Sequence, residues 1–236
     1  NLKILSIKKK IHQNIQKEAR NQRYKLLSNY CSKKNIKIIL TAHNLEDQVE
    51  TFFIRLSRGS GLTGLSSMSP LTNISSKIKL VRPLLDVKKI YLIRISKIIF
   101  GKFFKDPSNI NDKYLRTRVR SLQKPLLKSG INYDSIFRSI NNLASSKVIL
   151  DKYFYQLSKN ILRKYNNGAN ISLKNFNDLN NNEIKIRVIN DSIRHIKKNY
   201  YNPRSKKVVN LINQLRQKNF IKASLAGCLF VKKNDK

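Results

Sequence analysis

The chain has 236 residues, of which 40% are hydrophobic, so it can bury a substantial core in one large domain or two small ones, and intrinsic disorder is not expected. Its 49 Lys and Arg residues outnumber 13 Asp and Glu residues, and the net charge of +36 makes nucleic acid the first partner to consider. Drift toward an AT-rich genome also enriches Lys, Asn and Ile, and composition alone favours both explanations equally.

The two cysteines and the most apolar stretch of the chain indicate the kind of compartment in which we expect the protein. Cys31 and Cys228 stand far apart and match no C-x-x-C pattern, so we expect neither a disulfide framework nor a zinc or iron–sulfur site, and a reducing, cytoplasmic location. The apolar stretch at residues 90–100 is interrupted by Arg94 and Lys97, well short of the roughly 20 residues that a membrane span needs. We therefore expect no membrane partner.

The first 128 residues alternate between helical and strand patterns. Helical spacing predicts a helix through residues 15–30, the apolar run at 36–40 predicts a buried strand, and a second helix follows and ends at Gly59. Residues 78–81 predict another strand, Asp86 is expected to cap a helix that runs to Gly101, and a further helix covers 112–128. This alternation predicts an α/β domain.

Beyond Gly130 the pattern changes, because apolar residues from Ile136 to Ile161 keep helical spacing without an intervening strand. The Asn-rich stretch 166–182 is interpreted as a loop, Pro203 begins another helix, and residues 220–231 have strand character. We therefore predict three domains: residues 1–128, a helical domain at 129–217, and the start of a further domain at 218–236.

One helix face gathers ionisable side chains. At about 100° per residue, His43, Asp47 and Glu50 lie together, opposite an apolar stripe. The helix starts where a strand ends, which is the edge of α/β sheets that binds ligands. Carboxylates there can hold a cationic substrate or Mg²⁺, and imidazole can move protons. An isolated set of this kind is more often a solvated helix face, and a zinc site is disfavoured since only His12 and His195 remain to complete it.

Two later patterns each leave alternatives open. Residues 59–64 match G-x-G-x-x-G, but these glycines follow a helix instead of a strand, which excludes the dinucleotide-binding fingerprint; the loop either turns the chain or presents amides to an anion. Further on, a turn is predicted at 106–109. Arg116 and Arg120 then share a helix face and either bind phosphate together or form a solvated surface.

The order and spacing of five motifs resemble tRNA(Ile)-lysidine synthases, members of the PP-loop ATP pyrophosphatase superfamily, from about Gln16 to Arg120. Past Arg120 the resemblance rests on helical character and on Leu225-Ala226-Gly227-Cys228. The five motifs are Ala19-Arg20-x-x-Arg23-Tyr24; Thr41-Ala42-His43-x-x-x-Asp47-Gln48-x-Glu50-Thr51; Arg55-Leu56-x-Arg58-Gly59-Ser60-Gly61-x-x-Gly64-Leu65; Arg82-Pro83-Leu84-Leu85; and Asp106-Pro107-Ser108-Asn109 leading to Arg116 and Arg120.

The resemblance implies a fold, a reaction and its partners. The fold would be the remainder of a doubly wound parallel-sheet domain, like the adenine nucleotide alpha hydrolases, followed by an α-helical, tRNA-binding domain. The reaction would use ATP and Mg²⁺ to adenylate the wobble cytosine of a tRNA(Ile) with a CAU anticodon, after which L-lysine displaces AMP to form lysidine. Oligomeric state is left open, with a homodimer as one alternative.

The resemblance also implies roles for individual residues. Asp47 and Glu50 would bind lysine or Mg²⁺, while His43 and Arg23 would stand beside the adenylated cytosine. Arg116 would reach the triphosphate, and Arg120 either the triphosphate or tRNA.

One departure from the family stands out, because its Ser-Gly-Gly-x-Asp-Ser loop, which cradles phosphates, is absent: the seven glycines of this chain include no Gly-Gly pair. We therefore expect this chain alone to be inactive, and a sequence that starts after the loop explains the absence most simply. The alternatives are another PP-loop tRNA-modifying enzyme, such as a thiolase, which the missing C-x-x-C pairs disfavour, and a non-catalytic basic RNA-binding protein.

Overall fold

The computed structural model describes residues 2–7, 15–75, 77–104, 114–197, 203–217 and 219–233. The predicted turn at 106–109 lies outside these residues. The chain divides into two compact units, Asn1–Lys147 and Val148–Lys236. The predicted domain boundaries after residues 128 and 217 were placed where the sequence pattern changes, and they stay predictions. The two packed units instead meet between Lys147 and Val148, within a helix that is continuous from Tyr133 to Ser158.

Unit 1 contains a three-stranded sheet and the helices around it. Its elements in chain order are α1 (Ile15–Lys33), β1 (Ile38–Leu40), α2 (Leu45–Leu56), α3 (Leu62–Leu65), β2 (Leu71–Asn73), β3 (Lys79–Val81), α4 (Lys89–Phe100), α5 (Leu115–Ser121), α6 (Gln123–Lys128) and the first half of α7 (Tyr133–Ser158). The strand order is β1-β3-β2, with β1 parallel to β3 in a register that pairs Ile39 with Leu80, and β2 antiparallel to β3.

Two small cores hold unit 1 together. Between α1 and the sheet, Cys31 packs with Ile39, Ile78 and Leu80. Between α2 and α7, Leu45 and Val49 of the apolar stripe on α2 pack with Ile136 and Ile140. The predicted strand–helix alternation and the α/β class of this region are therefore confirmed.

Helix α4 begins differently from the prediction. Its N-cap residue is Lys88, without a capping side chain, and Asp86 does not cap it. Instead, the Glu46 carboxylate accepts a hydrogen bond of 2.8 Å from the Lys89 backbone N–H. The expected cap was wrong because an acid from α2, distant in sequence, satisfies the exposed N–H group at the start of α4.

Unit 2 combines helices with two β-hairpins. Its elements after the end of α7 are β4 (Leu162–Tyr165), β5 (Gly168–Ile171), α8 (Leu173–Asn177), α9 (Asn182–Lys197), α10 (Ser205–Leu215), β6 (Lys222–Leu225) and β7 (Cys228–Val231). Both hairpins are antiparallel. The helix after Pro203 and the strands near the C-terminus are confirmed, whereas the interpretation of residues 166–182 as loop was wrong, and a purely helical domain is not confirmed.

The second hairpin and the helices share one apolar core. Ala226 and Gly227 both have positive φ, as a two-residue type I′ turn requires, and the flanking Leu225 and Cys228 are buried. These two pack with Phe176, Val188, Ile189 and five other buried side chains of unit 2. The hairpin thus belongs to the same packed unit as α9 and α10. Among the helices in the described ranges, none is long and apolar enough to cross a membrane.

Candidate active site

The site begins at the carboxyl end of β1. The Thr41 N–H donates to the Val81 carbonyl over 3.0 Å and extends the parallel pairing of β1 with β3 by one residue. Two residues later His43 precedes α2, and its Nδ1 lies 3.0 Å from Thr41 Oγ1. Asp47 and Glu50 follow in the first turns of α2. The sheet therefore presents the predicted residues at its ligand-binding edge.

Glu50 is a buried acid of the site, and only 1% of its surface is exposed to solvent. Arg120 of α5 donates to both of its carboxylate oxygens, from Nε to Oε1 over 2.7 Å and from Nη2 to Oε2 over 3.2 Å. Arg116 Nε lies 3.1 Å from Glu50 Oε2 without the alignment of a hydrogen bond, while its Nη2 donates to Thr51 Oγ1 over 3.0 Å. The two arginines predicted to share a face thus converge on one buried acid.

The charges around His43 favour its neutral form. Burial is the largest influence and lowers the pKa of the imidazole below its usual value of 6.5; Asp47 opposes this shift, and Arg82, Arg20 and Arg116 add to it. A neutral imidazole can accept a proton at one nitrogen and donate from the other. His43 therefore suits proton transfer or hydrogen bonding at neutral pH.

Asp47 has a structural function in addition to its predicted one. Its Oδ2 accepts from the Asn44 N–H over 3.1 Å, and Asn44 Oδ1 accepts from the Asp47 N–H over 3.0 Å. This reciprocal capping box fixes the start of α2. The Asn-x-x-Asp spacing is visible in the sequence, but the family resemblance implies for Asp47 only a role as a ligand for lysine or Mg²⁺. The contact orients the carboxylate beside His43.

Tyr133, at the start of α7, lies near the ion-paired side chains of Glu50, Arg116 and Arg120, which we call the Glu50 cluster. Burial, and to a smaller extent the nearby carboxylates of Glu50 and Glu46, raise the pKa of its phenol to about 12, while Arg120 opposes the shift. Its hydroxyl is buried and has no hydrogen-bond partner among the described residues. The phenol therefore stays protonated and is a further polar group of the site, which nothing in the sequence indicated.

Comparison with known families agrees with this geometry. The family model described as the PP-loop domain matches residues 1–127, more than half of the chain. The chain belongs to the PP-loop domain family. The match includes β1, α2 and α5, and with them every residue of the predicted site.

Curated relatives give the comparison more detail. The chain is 34% identical over 223 residues to the tRNA(Ile)-lysidine synthase of Wolbachia pipientis wMel, an alignment that covers 94% of this chain and 51% of the relative. It is 31% identical over 225 residues to that of Rickettsia typhi (93% and 50%) and 45% identical over 126 residues to that of Orientia tsutsugamushi (53% and 28%). The chain thus spans about half the length of the curated relatives that it matches along most of its sequence.

A solved structure gives a weaker likeness. The U34-tRNA thiolase NcsA from Methanococcus maripaludis, solved with its 4Fe-4S cluster, covers 56% of this chain and 46% of its own, with a TM-score of 0.45 and 18% identity. This likeness is too distant to bear on function.

The glycine-containing loop of this PP-loop domain is fastened through its carbonyl groups. Arg55 Nη1 donates to the carbonyls of Gly64 and Ser67 over 2.7 and 2.8 Å. The Gln48 side chain bonds both the N–H and the carbonyl of Met68, each over 2.8 Å. The amides of residues 64–66 bond to carbonyls within the loop. These contacts support the interpretation of the loop as a turn.

The arginines near His43 differ in part from those predicted. Arg23 is exposed on α1 and is not among the charges that shift the His43 pKa, whereas Arg20, one turn earlier, is. Arg20 also lies over the Tyr24 ring, 5.3 Å from its centroid. The buried Arg82 was quoted in a motif but given no role, and it bonds to the Ser69 carbonyl over 2.7 Å. The role of Arg23 stays a prediction.

No group of three or more His, Cys, Asp or Glu side chains in the described part of the chain could hold a metal ion. Both cysteines are buried and unpaired with each other.

Proposed function

We propose that this chain forms part of an ATP-dependent ligase that joins L-lysine to the wobble cytosine of a tRNA(Ile) with a CAU anticodon. The observation that carries the proposal is the buried Glu50 carboxylate, which accepts from Arg120 and is contacted by Arg116, an arginine whose charge also acts on His43 after the parallel strand β1. The relatives named tRNA(Ile)-lysidine synthase and the net charge of +36, which favours RNA, support it.

The proposed reaction has two displacement steps. First, the 2-carbonyl oxygen of cytosine attacks the α-phosphorus of ATP, the bond to the bridging oxygen breaks, and pyrophosphate leaves. The ε-amine of lysine then attacks the activated carbon, the carbon–oxygen bond to the adenylate breaks, and AMP leaves as the nitrogen loses a proton. Groups that bind phosphate, a cationic amine and a transferred proton are therefore required.

The Glu50 cluster can exchange its partners during this sequence. Guanidinium groups bind phosphate oxygens in the same bidentate way in which Arg120 binds Glu50. Transfer of Arg116 and Arg120 to phosphate would release the Glu50 carboxylate, which could then receive the lysine ammonium. In this proposal the ion pairs stabilise the buried acid until its substrate replaces the arginines.

His43, Arg23 and Asp47 have other roles in the proposed reaction. Neutral His43 accepts the proton that the attacking lysine loses, and Arg23 contacts the RNA phosphate next to the cytosine. Mg²⁺ would neutralise phosphate charge; Asp47 Oδ1, which has no hydrogen-bond donor among the described residues, is an oxygen ligand of the type it prefers. A cytoplasmic location and a homodimer stay predictions.

Transfer of radiolabelled lysine to tRNA(Ile) tests the proposal. The matched half of the Wolbachia pipientis relative is replaced by this chain, so that the rest of the relative contributes whatever residues 1–236 lack. We expect the chimera to transfer lysine with ATP, and the chain alone to transfer none because it has no Gly-Gly loop. The assay is repeated with radiolabelled sulfur to detect a thiolase.

Matched variants locate the activity. Glu50→Gln in the chimera should remove transfer while tRNA affinity is kept, whereas Glu183→Gln, which alters an exposed acid of α9, should have no effect. A chimera that unfolds cooperatively and binds tRNA, yet transfers no lysine, contradicts the ligase proposal. Incorporation of sulfur favours the thiolase, and salt-sensitive RNA binding with no ATP-dependent chemistry favours the binding protein.

A further inference from the structure

Unit 1 contains a cavity that is formed by the start of α2, the turn before α4 and the first turns of α7. Its volume is about 540 Å³, within the range of small-molecule sites. Leu45, Val87, Tyr91 and Phe137 supply its apolar lining. None of its lining residues is His43, Asp47, Glu50, Arg116 or Arg120, so this cavity is separate from the proposed reaction site.

Contacts between elements fix the walls of the cavity. The Leu45 N–H donates to the Val87 carbonyl over 3.0 Å, and the Lys89 N–H donates to Glu46 over 2.8 Å, so α2 is joined to the turn before α4. Lys88 Nζ donates to Asp134 Oδ2 over 2.7 Å and joins the same turn to α7. The Asp134 bond raises the pKa of Lys88, which keeps the Lys88 ammonium charged. The cavity is therefore supported on three sides.

The four charged lining residues fall into two groups. Lys88 and Asp134 neutralise each other. Asp86 and Arg138, in contrast, have no ion-pair or hydrogen-bond partner within the ranges that the structure describes, and Asp86 is not used as the helix cap that the sequence suggested. One carboxylate and one guanidinium without a partner among the described residues thus border a cavity that is lined otherwise by apolar side chains and the Lys88–Asp134 pair.

From these observations we infer that the cavity binds a free amino acid with an apolar or aromatic side chain. The ligand ammonium would pair with Asp86, its carboxylate with Arg138, and its side chain would contact Tyr91 and Phe137. A ligand with only one charge would satisfy only one of the two free groups. The inference does not rest on the proposed function, and binding here needs neither ATP nor tRNA.

Calorimetric titration of the whole chain tests this inference, with L-phenylalanine as the probe. Phenethylamine lacks its carboxylate and hydrocinnamate lacks its ammonium, so the three probes separate the two charges. We expect saturable binding of L-phenylalanine with a Kd of about 1 mM or lower. Each analogue should bind at least about tenfold more weakly, the loss typical of a charged hydrogen bond.

Charge-removing variants assign each contact. Asp86→Asn should weaken L-phenylalanine about tenfold and leave hydrocinnamate unchanged, while Arg138→Gln should weaken L-phenylalanine and leave phenethylamine unchanged. Asp178→Asn and Arg163→Gln remove exposed charges of unit 2 and should change nothing. Asp86 and Arg138 are exposed, so both variants should fold, and circular dichroism checks this.

Two outcomes would overturn the inference. One is the absence of saturable binding of L-phenylalanine up to about 10 mM. The other is equal affinity for all three probes, which would show an apolar cavity without charge recognition. The analogue series needs no variant, so the inference stays testable even if a substitution unfolds the chain. Failure of lysine transfer in the chimera would leave this titration unaffected.

Discussion

The two units of the chain differ in the size of their apolar cores, although each also buries charged side chains: Glu50 and Arg82 in unit 1, and Lys185 in unit 2. Unit 2 buries a continuous apolar cluster around Phe176 and Val188. Unit 1 has only small apolar clusters and buries Glu50 and Arg82, while Ile38 and Leu40 of β1 are 53% and 67% exposed. An apolar core stabilises a fold directly, whereas a buried ion pair contributes little net stability and is retained for other reasons. The larger apolar core therefore lies in unit 2, and the buried acid with its two arginines lies in unit 1.

The largest expected effect is on the apolar core of unit 2. Phe176 has 0% exposure, so Phe176→Ala should lower the free energy of unfolding by about 3–5 kcal/mol through lost burial and a new cavity. Hydrogen exchange in α9 and in α2 measures the loss separately in each unit. Phe104→Ala is the matched control, because that ring is 81% exposed and its removal should change little. Equal loss of protection in α2 would break the distinction between the units.

The next effect concerns the ion pairs of unit 1. Glu50→Gln leaves Arg116 and Arg120 without their anion, but both side chains keep contact with solvent, so the free energy of unfolding should fall by only about 1–3 kcal/mol. Lysine transfer by the chimera should fall about a hundredfold or more, as expected on loss of a charge that stabilises the reacting groups. Denaturant unfolding and the transfer assay measure the two effects. A stability loss larger than that of Phe176→Ala would reverse the comparison.

A third effect tests how tightly the loop after α2 is packed. A Cβ added at Gly64 would lie 2.5 Å from Ser60 Cβ, so Gly64→Ala should cost about 1–3 kcal/mol. Gly61→Ala provides the control, since nothing lies within 4 Å of the added Cβ and φ there is negative. Thermal unfolding compares the two variants. Equal stabilities would show that the loop moves freely and that the Arg55 contacts do not hold it.

The sequence allowed prediction where one periodic pattern determines one element. Helix α2 and strands β1 and β3 follow from spacing along a single segment, whereas the shared face of His43, Asp47 and Glu50 stays a prediction, because His43 precedes the N-cap of α2. Strands β2, β4 and β5 were not predicted, because they are about as short as β1 but lack its continuous apolar run, and the last two flank an Asn-rich turn. Short polar strands give too few alternations to stand out from loop sequence.

Other features depend on residues that are distant in sequence. Glu46 replaces Asp86 at the start of α4 because α2 packs beside it, and Gln48 and Arg55 bind loop carbonyls whose positions are set by the tertiary fold. Tyr133 reaches the Glu50 cluster only through the packing of α7 on α2. Sequence spacing contains no information on such pairs, and for that reason it indicated Glu50, Arg116 and Arg120 separately but not that they contact one another.

The smallest effect, the pKa of His43, tests whether the charges of unit 1 form one connected site. Burial and three arginines lower this pKa, so the folded chain binds a proton less readily than the unfolded chain. Stability from this source is complete above the unfolded pKa of about 6.5 and is lost as the pH falls through the lower folded value. NMR titration of the imidazole protons, assigned with His43→Gln, measures the pKa directly.

Charge-removing variants should move the His43 pKa in opposite directions. Asp47 opposes the lowering, so Asp47→Asn should lower the His43 pKa further, whereas Arg20→Gln should raise it, because Arg20 adds to the lowering. Arg23→Gln is the matched control on the same helix and should have the smaller effect, since Arg23 is exposed and is not among the charges that shift His43. An equal effect of the two arginine variants would place Arg23 beside His43 as the sequence suggested, and would extend the site across the outer face of α1.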